Sequence, residues 1–234
     1  MKWNVKHCAV TESTNIDARQ GSHGDVFTAD LQTAGRGRLD HKWHSRAGMN
    51  LLFSAVFDVS GLGPEAVATF PLVVGLAVAK ALSGKIEGVA VKWPNDIWAK
   101  GRKICGILCE RNGENVIAGV GVNVKETSFP AEIRDRATLL ALEGAGGDFL
   151  EPSGVLAAIL GELHPLYEKW KVSGFPCIRA ELASFDALKG REISVLAVDG
   201  DEKPLGGICG GICEDGALDV GGEKVWAGEA HVIL

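Results

Sequence analysis

Between residues 89 and 124 apolar runs alternate with turn residues so tightly that an antiparallel arrangement is hard to avoid. Val89 to Lys92, Ile97 to Ala99, Lys103 to Glu110 and Asn115 to Val124 read as strands. Lys100-Gly101 is short enough for a two-residue hairpin loop, and Asn112-Gly113 supplies another. With Lys100-Gly101 as the loop, Trp98 faces Lys103 and Ile97 faces Ile104. Side chains alternate along a strand, so Asp96, Trp98 and Lys103 share one face, with Cys105 expected there too. Asp96 and Lys103 become diagonal neighbours. The run Lys92-Trp93-Pro94-Asn95-Asp96 and Lys103 thus offer one cavity a carboxylate and an ammonium. That suits a substrate carrying anions and a metal. Taken alone, it equally fits a surface hairpin with ordinary charges.

Three further segments carry polar chemistry. Gln32-Thr33-Ala34-Gly35-Arg36-Gly37-Arg38 follows the strand-like run Val26 to Leu31. Its glycines let backbone N–H groups approach an anion, and its arginines are permanently charged forks for carboxylate or phosphate. No Walker or dinucleotide fingerprint is present. A solvated basic loop or a nucleic-acid contact is the competing reading. Gly119-Val120-Gly121-Val122-Asn123 clears one strand face, where a ligand or another element can lie against the backbone. Glu12-Ser13-Thr14-Asn15 ends the first strand-like run. Thr14 with Asp17 fits a capping box, and the Ser13 and Thr14 hydroxyls can also meet a polar ligand.

Elsewhere Trp3 to Val10 reads as a strand and Thr14 to Gln20 as a short helix. Gln32 to Gly48 is a loop of a length usually kept for function. Asn50 to Asp58 is a strand. Pro64 to Leu82 is a helix that Pro71 should kink or interrupt. Helices are expected over Pro152 to Lys171 and Pro176 to Leu188, with the Gly144 to Gly147 cluster as a loop before them. From Lys189 short β runs alternate with turns at Asp199-Gly200, Asp215-Gly216 and Gly221-Gly222, which implies about five strands in a small barrel. The fold class is α+β. A catalytic unit (1–188) has a mixed or antiparallel sheet with helices, and an all-β unit (189–234) follows.

At 234 residues with net charge −6, the chain has apolar content for a real core and no broad affinity for nucleic acid. The start, Met1-Lys2-Trp3-Asn4-Val5-Lys6, has no signal-peptide h-region. The longest apolar stretch, Ala66 to Ala79, is shorter than the roughly 20 residues of a membrane span. A cytoplasmic location is the expectation. Cys105/Cys109 and Cys209/Cys213 are each four apart in strand-like runs, which favours buried, reduced thiols over a metal site.

The order and spacing of these motifs resemble the biotin protein ligase family over nearly the whole chain. They run Ser13-Thr14-Asn15, the loop Gln32 to Arg38, Lys92 to Asp96 with Lys103 and Gly106, then Gly119 to Asn123. The resemblance implies an SH3-like C-terminal unit that helps with ATP or acceptor docking. It implies a two-step reaction: biotin and ATP give biotinyl-5′-AMP and pyrophosphate, and a lysine of a biotin carboxyl carrier protein then takes the biotin. Lys103, Arg38 and Asp96 are its catalytic candidates. Ser13, Thr14, Asn15, Gln32, Gly35, Arg36, Gly37, Arg38, Lys103, Gly106, Gly119 and Gly121 would bind biotin. Arg36, Arg38, Trp43, Lys92, Asn95, Lys103 and Asn123 would bind ATP or the adenylate. Asp96 would help hold Mg²⁺ or accept the proton of the incoming lysine. A homodimer is possible, while no nucleic acid and no membrane are expected as partners. The usual loop continues with a second Gly-Arg, where this chain has Asp40-His41, so the loop's closing geometry is open. Because the first strand starts at Trp3, no preceding helix-turn-helix is expected. A lipoate or octanoate ligase or transferase and a non-catalytic biotin-binding module remain as alternatives.

Overall fold

A computed structural model of the protein describes residues 2–39, 41–126, 128–196 and 204–233. The expected turn at Asp199-Gly200 and the substituted Asp40 lie outside the described residues.

Seven strands form the main sheet. They are β1 (Asn4–Thr11), β2 (Asp25–Gln32), β3 (Asn50–Asp58), β4 (Val89–Lys92), β5 (Asp96–Ala99), β6 (Arg102–Asn112) and β7 (Asn115–Asn123). Their spatial order is β1-β2-β3-β7-β6-β5-β4. Only β1 and β2 run parallel, and the β4–β7 meander is antiparallel as the turns demand. The β6–β7 hairpin closes on Gly113-Glu114, one residue later than expected, because Asn112 pairs with Asn115.

The β5–β6 register corrects the simple hairpin. Trp98 faces Lys103, but a bulge then inserts an extra residue on β6, so Ile97 faces Cys105 rather than Ile104, and Asp96 faces Gly106. Extra residues of this kind change which face the following side chains reach. Cys105 therefore turns away from Asp96 and is fully buried in the apolar core. Its thiol is pushed up out of the titrating range by burial. Lys103 and Gly106, three apart, end on the same side: a Cβ on Gly106 would lie 3.2 Å from Lys103 Cε.

The helices are α1 (Thr14–Ala18), α2 (Pro64–Ala68), α3 (Phe70–Leu82), α4 (Pro152–Ser173) and α5 (Pro176–Ala183). The break at Thr69 comes where Pro71 falls in the first turn of α3, a position that proline tolerates. By length and mean hydropathy, Pro64–Leu82 could cross a membrane, contrary to the shorter stretch read from sequence. However, 72% of that window is buried inside the protein. α3 faces Val91, Ile97 and Ile107 across Gly75, which accounts for its apolar surface. α5 ends five residues before the expected Leu188. The chain there turns to bridge β4: Val91 N–H donates to the Phe185 carbonyl and Ala187 N–H to the Val91 carbonyl. α1 has no side-chain cap, and the Thr14 hydroxyl goes elsewhere.

A second sheet holds β8 (Glu192–Leu196), β9 (Leu205–Ile212), β10 (Leu218–Val220), β11 (Glu223–Val225) and β12 (Glu229–Val232), all antiparallel. Its Leu218 and Val220 belong to the same apolar core as α3. Trp93 Nε1 donates to the Gly216 carbonyl at 3.0 Å and ties the two sheets together.

Asp25 fastens β1 to β2 by accepting from Asn4 Nδ2, Lys6 Nζ and the Ser22 N–H. The Ser22 backbone bond, then Lys6, holds its carboxyl at about 2, below the ordinary 3.8. The folded value lies below the unfolded one, so this contribution is complete above pH ~4 and lost as pH falls towards ~2. Asp25→Asn should therefore be less stable than wild type at neutral pH. The gap should close between pH ~4 and ~2 in melting curves, whereas a constant gap would contradict this account.

Candidate active site

The cleft lies on the face of the main sheet opposite α3, under the long loop that follows β2. From α1 and its N-terminal edge come Ser13, Thr14 and Asn15, from the end of β2 comes Gln32, and from the loop come Arg36, Gly37, Arg38 and Trp43. The β4–β5 turn contributes Lys92, Asn95 and Asp96, with Lys103 and Gly106 from β6 and Gly119 and Gly121 from β7. Two candidates are not among these. Gly35 faces the outer groove of the loop. Asn123 lies beyond the glycines and donates Nδ2 to the Thr138 carbonyl at 3.0 Å, beneath the segment that follows β7. All six cysteines are free, and no group of three or more His, Cys, Asp or Glu with metal-binding geometry occurs among the described residues.

The charge balance is opposite to that of the whole chain. Arg36, Arg38, Lys42, Lys92 and Lys103 line the cleft against the carboxylates Asp96 and Glu229. Lys103 Nζ stands 2.7 Å from Asp96 Oδ1 and 5.9 Å from the centre of the Trp43 ring. Lys92 is 8% exposed. Burial lowers its pKa, Asp96 and Glu229 oppose that shift, and its ammonium lies over the Trp98 ring. Burial likewise lowers the Arg38 value, against Asp96 and Glu229. The Arg38 guanidinium donates to Asn95 Oδ1 and to the Gly228 carbonyl, each at 3.3 Å. Arg36 instead reaches Glu110 at 3.5 Å. Cations stripped of water in this way gain most from an anion that replaces it.

The two strand glycines accommodate side chains of the protein itself. A Cβ on Gly119 would overlap the Asn15 amide oxygen, and one on Gly121 would strike the Trp43 indole. The indole thus covers the bare floor made by Gly106 and Gly121, and its buried N–H finds no acceptor among the described residues. The space left is about 110 Å³, below the roughly 300 Å³ and upward of small-molecule sites.

Four contributors escaped the sequence reading. Glu229 and the Gly228 carbonyl arrive from the second sheet, and no local spacing announces them. Ser54, fully buried on β3, joins Thr14 to Asn15. Glu110 did carry a signal, since it follows Gly106 and Leu108 at strand period on the cleft face.

The chain matches the biotin/lipoate A/B protein ligase family over residues 8–125. It is 33% identical over 201 residues to the bifunctional ligase/repressor BirA of Bacillus spizizenii, covering 81% of this chain and 59% of that protein. The chain thus spans about three-fifths of the length of that relative. With the biotin–[acetyl-CoA-carboxylase] ligase of Mycobacterium tuberculosis it shares 32% over 237 residues, covering 96% of this chain and 86% of the relative. Among solved structures, biotin protein ligase from Aquifex aeolicus in complex with biotin and ATP superposes with a TM-score of 0.84 at 29% identity, covering 98% of each chain. Motif order, cleft and relatives agree, and the chain belongs to the biotin/lipoate A/B protein ligase family.

Proposed function

We propose that this protein activates biotin with ATP and transfers it to a lysine of a biotin carboxyl carrier domain of a carboxylase. The observation that carries this reading is the cluster of five cations with a desolvated Arg38 and Lys92 in a chain of net charge −6. Joining a carboxylate to the α-phosphorus of ATP brings two anions together. The site must screen their repulsion and stabilise the charge that builds on phosphorus oxygens. Lys103 leaves Asp96 for those oxygens, and Arg38 and Arg36 hold the carboxylate and phosphates. The biotin rings take the floor of Gly106 and Gly121, which requires the Trp43 indole to move aside and close over them. Ser13, Thr14 and Gln32 serve the ureido group.

Mg²⁺ supplies charge neutralisation of the triphosphate when bound. Asp96, a carboxylate facing the cleft, would help to hold it. The alternative role for Asp96 is to orient the acceptor lysine and take its proton once Lys103 has moved. Residues 189–234 act as a distinct domain in this reading, reaching the adenylate side through Gly228 and Glu229. The lipoate alternative is disfavoured by the polar wall at Thr14 and Gln32, since a dithiolane or alkyl chain offers those groups no partner.

The test is transfer. With biotin, ATP and Mg²⁺, a purified carrier domain should gain one biotin by mass, and its lysine-to-arginine form should gain none. A carrier domain that gains lipoyl but no biotin would overturn the reading.

A further inference from the structure

Asn15 can point its amide only one way. Its Nδ2 lies 2.6 Å from Glu110 Oε2 and 3.3 Å from the Leu108 carbonyl oxygen. Both partners only accept, so the nitrogen faces them and Oδ1 faces Ser54. Ser54 Oγ is 2.6 Å from that oxygen, which carries no hydrogen, and Ser54 therefore donates its single hydroxyl hydrogen to Asn15. Thr14 Oγ1 lies 2.7 Å from Ser54 Oγ. With the Ser54 hydrogen already committed, Thr14 is the donor in that pair. Gln32 is fixed from the other side, because its Oε1 accepts the Thr14 backbone N–H at 2.7 Å. Thr14 Oγ1 also stands 3.0 Å from this Oε1, but its one hydrogen cannot serve both neighbours. Two acceptor oxygens thus meet at the cleft wall with no hydrogen between them.

We propose that Glu110 is a positioning residue that sets ligand specificity: through Asn15 and Ser54 it fixes the direction of this hydrogen-bond chain, so that Thr14 Oγ1 and Gln32 Oε1 converge on an N–H of the bound acid. The inference rests on the reading of the cleft as a biotin site. A cyclic urea N–H placed between the two oxygens relieves their repulsion, whereas a dithiolane or an alkyl chain leaves it in place. Glu110 itself does not line the inner cleft. Arg19 and Arg36, each at 3.5 Å, flank its carboxylate. The glycine at 119 leaves the Asn15 amide room to lie flush against β7.

Two substitutions release the chain. Glu110→Gln offers Asn15 either an amide oxygen or an amide nitrogen, which leaves the more distant Leu108 carbonyl, at 3.3 Å, as the one partner that still forces its orientation. Ser54→Ala removes the acceptor for the Thr14 hydrogen, which then turns to Gln32 Oε1 and fills the seat. The measurement is calorimetric affinity of the full chain for biotin and for its two carba analogues, in which one ureido NH or the other is CH₂. Wild type should prefer biotin over one analogue by at least about tenfold, and both variants should narrow that ratio by roughly tenfold. A general loosening of the fold would weaken both ligands and leave the ratio alone. If either folded variant keeps the wild-type ratio, or wild type does not discriminate, the role of Glu110 is overturned. Wild type that binds no biotin overturns the biotin reading itself, and this inference with it.

Discussion

Lys103→Ala should lower biotin-dependent exchange of pyrophosphate into ATP by roughly 10²–10³-fold, the scale on which a preorganised donor aimed at developing charge acts. The geometry gives the reason. The ammonium lies at the centre of the cleft, 2.7 Å from Asp96 Oδ1, with the Trp43 ring and the Gly106 backbone on either side. It is the cation best placed to move from an internal carboxylate to a reacting one. Its side chain is 38% exposed, so loss of the ion pair should cost little stability, within about 1 kcal/mol. Lys103→Arg should not rescue exchange, because a planar fork does not occupy the place of a compact ammonium. Near-wild-type exchange by soluble, folded Lys103→Ala would remove this residue from the reacting centre.

Trp93→Ala should have the largest effect on stability. Trp93 is 1% exposed, and its N–H reaches from the motif turn to the Gly216 carbonyl beside the second sheet. Emptying a buried tryptophan site costs about 3–5 kcal/mol. For a chain of this size, each kcal/mol moves the melting midpoint by about 2–4 °C, so the midpoint should fall by roughly 6–20 °C. Trp93→Phe, which keeps an aromatic ring in the site but loses the hydrogen bond and part of the volume, should fall less. A midpoint unchanged in Trp93→Ala, read by calorimetry at fixed protein concentration, would show that the two sheets are not joined through this residue.

Trp93 also shows how far local pattern carries. Within Lys92 to Asp96 the spacing exposed the charged ends, Lys92 and Asp96, and the hairpin that brings Lys103 to them. It did not reveal that the residue between is core, because its partner lies 123 positions away. The β5–β6 bulge was equally hidden. One extra residue is invisible in an apolar alternation, yet it sends Cys105 into the core and puts Lys103 beside Gly106. Gly119 and Gly121 were rightly read as clearing a strand face. What covers them, Asn15 and Trp43, lies 104 and 78 positions earlier, beyond the reach of periodicity. The break before Pro71 was legible because proline acts on its own turn. The premature end of α5 was not, since a bridge to Val91 decides it. Resemblance supplied the assembly of the cleft, and neighbouring residues alone supplied its pieces.

The most direct test of the central claim is pyrophosphate exchange into ATP by the purified wild-type chain, with biotin, lipoate and octanoate compared side by side. The cation-lined cleft with its polar wall at Thr14 and Gln32 predicts exchange with biotin and none above background with the other two acids. Exchange driven by lipoate or octanoate, or by no acid at all in a demonstrably folded protein, would contradict it.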